Sequence, residues 1–460
     1  MLAWRSLLSR SHPLLSGLRP AHRHASHPAA VLGGKNLIGS REYASNWDGD
    51  SQGRAAAAAA TTKRHLYLVL DDHKDGYGIH KLDLADDDGL DGRARGLPEP
   101  PVLRVGLPTI GDRAQFAAVG SSIVAICTSP TIDPWGKLDD EFGGVLIYDT
   151  NTAVQVVSPQ LPKTLLLAGG YEAAIAVGSR LYIFESNGSE RYYKYVGGCA
   201  SGLHCLTNDG GNGSGGDGSG GAGDEFWGWR PLSPSSSRWC WSWNENLLML
   251  PFHAENITAH AVHAQPGAAP HDYEILVSDR NANMTFSFST TRHEWTERGD
   301  WQLPVVGHAH YDGDLDAWLG LHAVNDRRYG HWRRTDVDGY LCIGNVASAP
   351  LEWKVGREKL FCLDEDTEAG WNHLDAKLVP MASHGVEGRS EYCLMERLRA
   401  PEGGDEKKCS GNAGGCLLRL TFFCVERDEG GEPVAKARRR ARSYYVSRYN
   451  ENFDAQVFWM

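Results

Sequence analysis

No run of eighteen apolar residues occurs anywhere in the chain, so no segment is built to cross a membrane as a helix. No CxxC pair occurs either. The ten cysteines are scattered from Cys127 to Cys424. A chain of this length needs no disulfide framework, so they are expected as reduced thiols filling the core. No G-K-[ST] follows a glycine loop, which removes the phosphate cradle of nucleotide hydrolases. Methionine is sparse at 6, against 53 glycines and 15 tryptophans. That balance suits short strands joined by turns better than helices.

Acidic residues are missing from the first forty-one positions. Arg5, Arg10, Arg19, Arg23, Lys35 and Arg41 stand against Glu42 alone, a net charge of +5 over residues 1–43. The whole chain carries −12, which leaves −17 for the rest. An acidic body argues against nucleic acid or an anionic membrane as partner. The leader, rich in Ser, Leu, Arg and His, predicts an organelle transit peptide over 1–43. Leu2, Leu7 and Leu8 share a helix face ahead of Pro13, and Arg41–Ser45 is similar to a mitochondrial processing site. The expected address is mitochondrial, with plastid, cytosol or nucleus as alternatives. Lys436–Arg442 is a second basic run that could act in nuclear import. Residues 44–63, with the alanine run Ala55–Ala60, predict a disordered linker.

From residue 64 onward the chain repeats a pattern. Phe116–Ile126 reads as strand, tight turn at Gly120, strand. Ala173–Phe184 repeats it around Gly178, and His308–Leu319 gives a third, more polar version around Gly313. Glycine supplies the positive φ that such turns need. Prolines near 108, 162, 234, 304 and 380 close successive units. The spacing stretches across Gly210–Gly223, a Gly/Ser/Asp/Asn insert read as a flexible surface loop. Four short strands per period of this size predict an all-β fold, a single β-propeller. Six blades are expected, starting near 65, 115, 171, 240, 305 and 385, with large aromatics wedged between them. The domain is placed at 64–450, with 451–460 as a C-terminal tail. The last blade is expected to meet the strand at His65–Leu70 and hide both edges. A double β-sandwich is the rival fold.

Several blocks also resemble a known family. They are Arg64–Leu70, Ile79–Asp83, Leu97–Pro101, Thr285–Ser289, Glu294–Thr296, Gly299–Trp301 and Leu303–Pro304. Tyr311–Asp312, Leu315–Leu321 and Glu358–Cys362 continue the series in order. The chain resembles the plant kelch-like domain of unknown function 1668 family over about residues 64–425. The resemblance implies a plant source and a kelch-like propeller. That family brings no established activity and no catalytic residues. The insert at 210–223 and the basic segment 436–442 depart from its usual pattern.

One polar cluster stands out. His308, His310 and Asp312 alternate along a strand and so share a face. Imidazole and carboxylate at that spacing are candidate ligands for zinc or another divalent metal. Asp314, Asp316 and His322 lie nearby, and a polar hairpin explains the same residues. His253, His260, His263 and His271 form a second histidine-rich stretch, read as ordinary blade or surface histidines. The function expected is a non-enzymatic module that binds a protein or peptide on one propeller face, as a monomer and with no cofactor. A metal-assisted enzyme at the channel mouth and an F-box-like substrate adaptor are the alternatives.

Overall fold

Short runs of β-formers between turn residues build this molecule. The computed structural model describes residues 65–71, 76–84, 94–106, 113–129, 142–156, 159–162, 165, 171–185, 202–208, 227–230, 232, 248–264, 272–323, 337–345, 352–361, 372–381, 390–399, 416–436, 441–446 and 455–460. The leader 1–43, the linker 44–63, the insert 210–223 and positions 437–440 of the basic run lie outside them. Named elements among the described residues are strands and one short 3-10 turn, Ala254–Asn256.

The strands form six antiparallel units. Unit one holds β1 (Leu66–Asp71), β2 (Tyr77–Leu82) and β4 (Leu103–Val105), with β27 (Ala455–Trp459) along the free side of β1. Unit two is β5 (Arg113–Val119), β6 (Ser122–Ser129), β7 (Phe142–Asp149) and β8 (Val154–Val156). Unit three is β9 (Tyr171–Val177), β10 (Arg180–Glu185), β11 (Gly202–Thr207) and β12 (Gly228–Arg230), with β13 (Leu248–Met249) also on β11. Unit four is β14 (Ile257–Ala264), β15 (Tyr273–Asp279), β16 (Met284–Ser289) and β17 (Glu294–Gly299). Unit five is β18 (Gly307–Asp312), β19 (Ala317–Ala323), β20 (Val337–Asn345) and β21 (Trp353–Lys359). Unit six is β22 (Asn372–Pro380), β23 (Glu391–Arg399), β24 (Cys416–Arg427) and β26 (Arg442–Val446), with β25 (Pro433–Lys436) on β24. The two-residue β3 (Arg95–Gly96) leaves the β2–β4 connection to pair with β26 in parallel.

The apolar residues explain why these sheets stack. Each of six cores lies between two successive units. Val69, Ile79, Phe116 and Ile123 bury the face between units one and two. Val124, Ile147, Ile183 and Trp227 do so between two and three, and Phe184, Phe252, Phe288 and Trp295 between three and four. The smallest described core, with Ala259, Ala261, Ala309 and Trp318, separates four and five. Leu319, Ile343, Leu394 and Phe423 fill the space between five and six. Leu66, Leu68, Leu418 and Leu420 join six back to one. Each fully buried side chain of this kind contributes about 1.5–3 kcal/mol. The body is therefore all-β, a set of small antiparallel sheets consistent with a propeller.

This stacking also explains sequence runs that lack alternation. On β6, Ile123, Ala125 and Cys127 face the first of these cores, whereas Val124 and Ile126 face the second. A strand buried on both sides reads as continuous apolar sequence.

Gly120 and Gly178 sit in the two tight turns at φ +59° and +60°, as expected. The third hairpin differs. There Asp316 takes the left-handed conformation at φ +45°, a role Asp tolerates better than most residues. Units four and six begin at Ile257 and Asn372 rather than near 240 and 385. Residues 451–460 were expected as a tail. Ala455–Trp459 instead forms β27, because Ala455 and Val457 fit the core beside Leu66, Leu68 and Leu70.

Candidate functional site

The first strands of units four and five share one local pattern, histidine alternating with alanine. Ala259 and Ala261 on β14 are wholly buried in the core between these units, and so is Ala309 on β18. Alternation turns His260, His308 and His310 to the opposite side. The two strands pair in parallel, with Ala259 opposite Gly307, His260 opposite His308 and Ala261 opposite Ala309. The register places the His260 and His308 imidazoles 4.5 Å apart between centroids and 22° from parallel. His310 lies 4.1 Å from His308. Its Nε2–H donates to the Leu378 carbonyl on β22, at 3.0 Å. One imidazole thus touches the first strands of units five and six.

All three histidines are half-buried. Burial pushes the His260 imidazolium down to about 3, and His310 adds to the effect. Burial lowers His308 well below the usual histidine range, followed by His310 and His260. Burial also lowers His310, to about 4, against an upward pull from its bond to Leu378. All three are neutral at pH 7. Each then offers one N–H and one lone pair. His310 has committed Nε2–H, so its Nδ1 is the free acceptor.

Asp312 does not join them. It is 2% exposed, and both oxygens of its carboxylate accept hydrogen bonds. Oδ1 accepts from Asp314 N (2.9 Å), Leu315 N (3.2 Å) and Ser390 Oγ (2.9 Å), and Oδ2 accepts from Tyr392 OH (2.7 Å). The first two bonds shape the β18–β19 turn, and the last two fasten it to unit six. Burial raises the Tyr392 phenol far above its usual range, and the Asp312 charge adds to this. Ser390 Oγ is also 2.9 Å from Asp314 Oδ2, so its single proton is shared between the two carboxylates. Asp316 accepts from Tyr311 OH at 2.7 Å, which raises that phenol to about 12. The expected trio of His308, His310 and Asp312 therefore divides into two neighbouring histidines and a structural carboxylate. The His308 and His310 rings are tilted 51° to each other, and the ring stacked on His308 is that of His260. Among the described residues no three His, Cys, Asp or Glu side chains are placed to hold a metal ion.

The residue that completes the cluster is His260, which strand alternation alone did not single out. Its signal was the repeated Ala-His-Ala and His-Ala-His alternation of residues 259–261 and 308–310. Its sequence neighbours go elsewhere. His263 packs edge-on against Tyr311 and Trp318, at 5.2 and 5.6 Å. His253 is exposed, 3.9 Å from Glu255. His271 lies outside the described residues. His322 pairs with Asp338 at 2.6 Å.

Two other buried pairs were not anticipated. His204 Nε2 meets Glu185 Oε2 at 2.8 Å in unit three. In unit six His373 lies 4.0 Å from Glu396, stacked on Phe361. Burial pushes the Glu396 carboxyl up to about 7, with Arg419 pulling the other way. Burial lowers His373 to about 4. Six cysteines are described, Cys127, Cys205, Cys342, Cys393, Cys416 and Cys424, all buried and none of them in a disulfide.

Comparison with known proteins adds three findings. A family model described as protein of unknown function (DUF1668) matches residues 63–444. No curated protein matches the chain. Among solved structures, the crystal structure of the tricorn protease is similar at 9% identity and a TM-score of 0.18, over 74% of this chain and 32% of that one. The chain thus spans about a third of that protein's length.

Proposed function

The chain belongs to the DUF1668 family of proteins of unknown function, and from that premise we propose that it is a binding module for a protein or peptide, not an enzyme. The observation that carries this reading is an asymmetry in the connections of units two, three and five; unit four has the reverse, 265–272 before β15 against 280–283 after it. Between first and second strands the chain spends only 120–121, 178–179 and 313–316 in units two, three and five. Between second and third strands it spends 130–141, 186–201 and 324–336 in those units, and 400–415 in unit six. In a propeller the second group of connections emerges at the end where first strands begin. His308, the second residue of β18, belongs to that end. Loops grouped on one end of a rigid scaffold can vary without disturbing the sheets, the usual arrangement for recognition.

Photo-crosslinking tests this directly. A crosslinkable residue within 186–201, 324–336 or 400–415 should trap a common protein in cells. The same residue at Ser121 or Ser179, on the opposite turns, should trap none of it. Equal capture from both ends would overturn the proposal.

A further inference from the structure

We infer that the seam between units four and five is an acid-sensitive joint, loosened when the cluster of His260, His308 and His310 takes up protons. Three features of the geometry combine there. The backbone link is short, a parallel pairing over residues 259–261 and 307–309. The apolar core behind it is the smallest described, and three of its members are alanines. The imidazoles in front of it sit at 4.1 and 4.5 Å from one another, so one proton among them opposes the next.

Among the described residues, the groups that face the cluster offer no compensating charge. From β14 comes His260 itself, and from β18 His308 and His310. From β22 comes the Leu378 carbonyl, which already accepts the N–H of His310. The charges that act on these rings are one another's. Asp375 and Lys377 also lie on β22, but Lys377 Nζ donates to the Ala455 carbonyl at 2.6 Å, toward unit one. Asp316 acts on His263, not on the three.

The sign follows from linkage. Folded-state affinity for protons is lowered, so stability from the neutral rings is complete above about pH 6.5. It is lost as the pH falls from there toward the folded values of about 4 and 3. At pH 5 each histidine released by opening favours the open form by about thirtyfold.

Hydrogen exchange on the full chain at pH 7.5 and 5.0, corrected for intrinsic rates, tests the inference. Protection over residues 257–264 and 307–312 should fall by about tenfold or more at pH 5.0. Protection over 113–129 should stay within a few-fold. A variant with His260→Gln and His308→Gln should lose most of that difference while keeping uncharged polar groups. An equal fall in both regions, no fall at the seam, or an unchanged fall in a folded double variant would each overturn the idea. If the double variant does not fold, the comparison of the two regions in the natural chain decides alone.

Discussion

Two seams of this body are held by opposite means. Between units six and one the covalent chain does not run through the sheet, and backbone pairing takes its place. β27 pairs with β1 from Leu66↔Trp459 to Leu70↔Ala455. The ends add His65 N to Met460 O at 2.6 Å and Met460 N to His65 O at 3.0 Å. β3 crosses over to pair with β26, and Arg442 donates to the Leu84 carbonyl at 2.7 Å. Behind these lies a core rich in leucine. Between units four and five the chain is continuous through Trp301–Val306, and less is built: three parallel residue pairs and a smaller core in which three alanines stand beside Leu276, Leu303 and Trp318. The lesson is that non-covalent reinforcement is heavier at the seam where covalent continuity is lacking. At the lighter seam the histidines stand in front of the core.

Breaking the stronger seam should have the largest effect. Removing residues 455–460 strips β1 of its neighbour and leaves Leu66, Leu68 and Leu70 without the Ala455 and Val457 side chains packed beside them. The lost burial and pairing amount to about 5 kcal/mol or more, enough to unfold a marginally stable domain. Circular dichroism and solubility of the truncated chain measure this. A native-like melt would show that the six-to-one seam is not what holds the body together.

Next is the carboxylate at the end of β18, which fastens unit five to unit six. Asp312→Ala leaves Tyr392 and two backbone N–H groups without their acceptor, while Ser390 keeps Asp314. A loss of about 3 kcal/mol is expected in urea unfolding, and Asp312→Asn should lose less. Equal losses would mean that charge matters little at this node.

Glu396 sharpens the acid argument because it works in the opposite direction. Its folded value of about 7 exceeds the ordinary carboxylate value, so the folded state is weakened as pH rises from about 4.5 to 7. The histidines strengthen the fold over much of the same window, so the two trends partly cancel. Glu396→Gln should therefore add about 1–3 kcal/mol at pH 8 and almost nothing at pH 4.5. Chemical denaturation at the two pH values measures it, and a gain independent of pH would point to packing instead.

Smaller still is Arg442→Ala, which removes one clamp from the six-to-one seam and should cost about 1 kcal/mol. Deleting 210–223 should do least. Loop length enters closure entropy logarithmically, about 0.6 kcal/mol per doubling, so the thermal midpoint should barely move.

Much of the fold was legible because its signals are local. Gly120 and Gly178 mark hairpins through their own conformational freedom, and the doubly buried run Ile123–Cys127 announces a strand inside a stack. The unit count followed from repetition of such signals. What escaped were features set by distant residues. Ala455–Trp459 is too short to declare a partner, and its place is decided by an edge on β1. His260 and His308 meet through a parallel register that no local pattern encodes. Asp312 shares an alternation face with His308 and His310. Its direction is set by Ser390 and Tyr392, which lie far along the chain.

The pairing of β27 with β1 also sets a timetable. β1 leaves the ribosome nearly four hundred residues before its neighbour does. At about 5–20 residues per second that is a wait of roughly twenty seconds to over a minute. Throughout it, an apolar edge carrying Leu66, Leu68 and Leu70 has no strand to pair with on that side. Completion of unit one therefore waits on residues nearly four hundred positions away, whatever its local propensities.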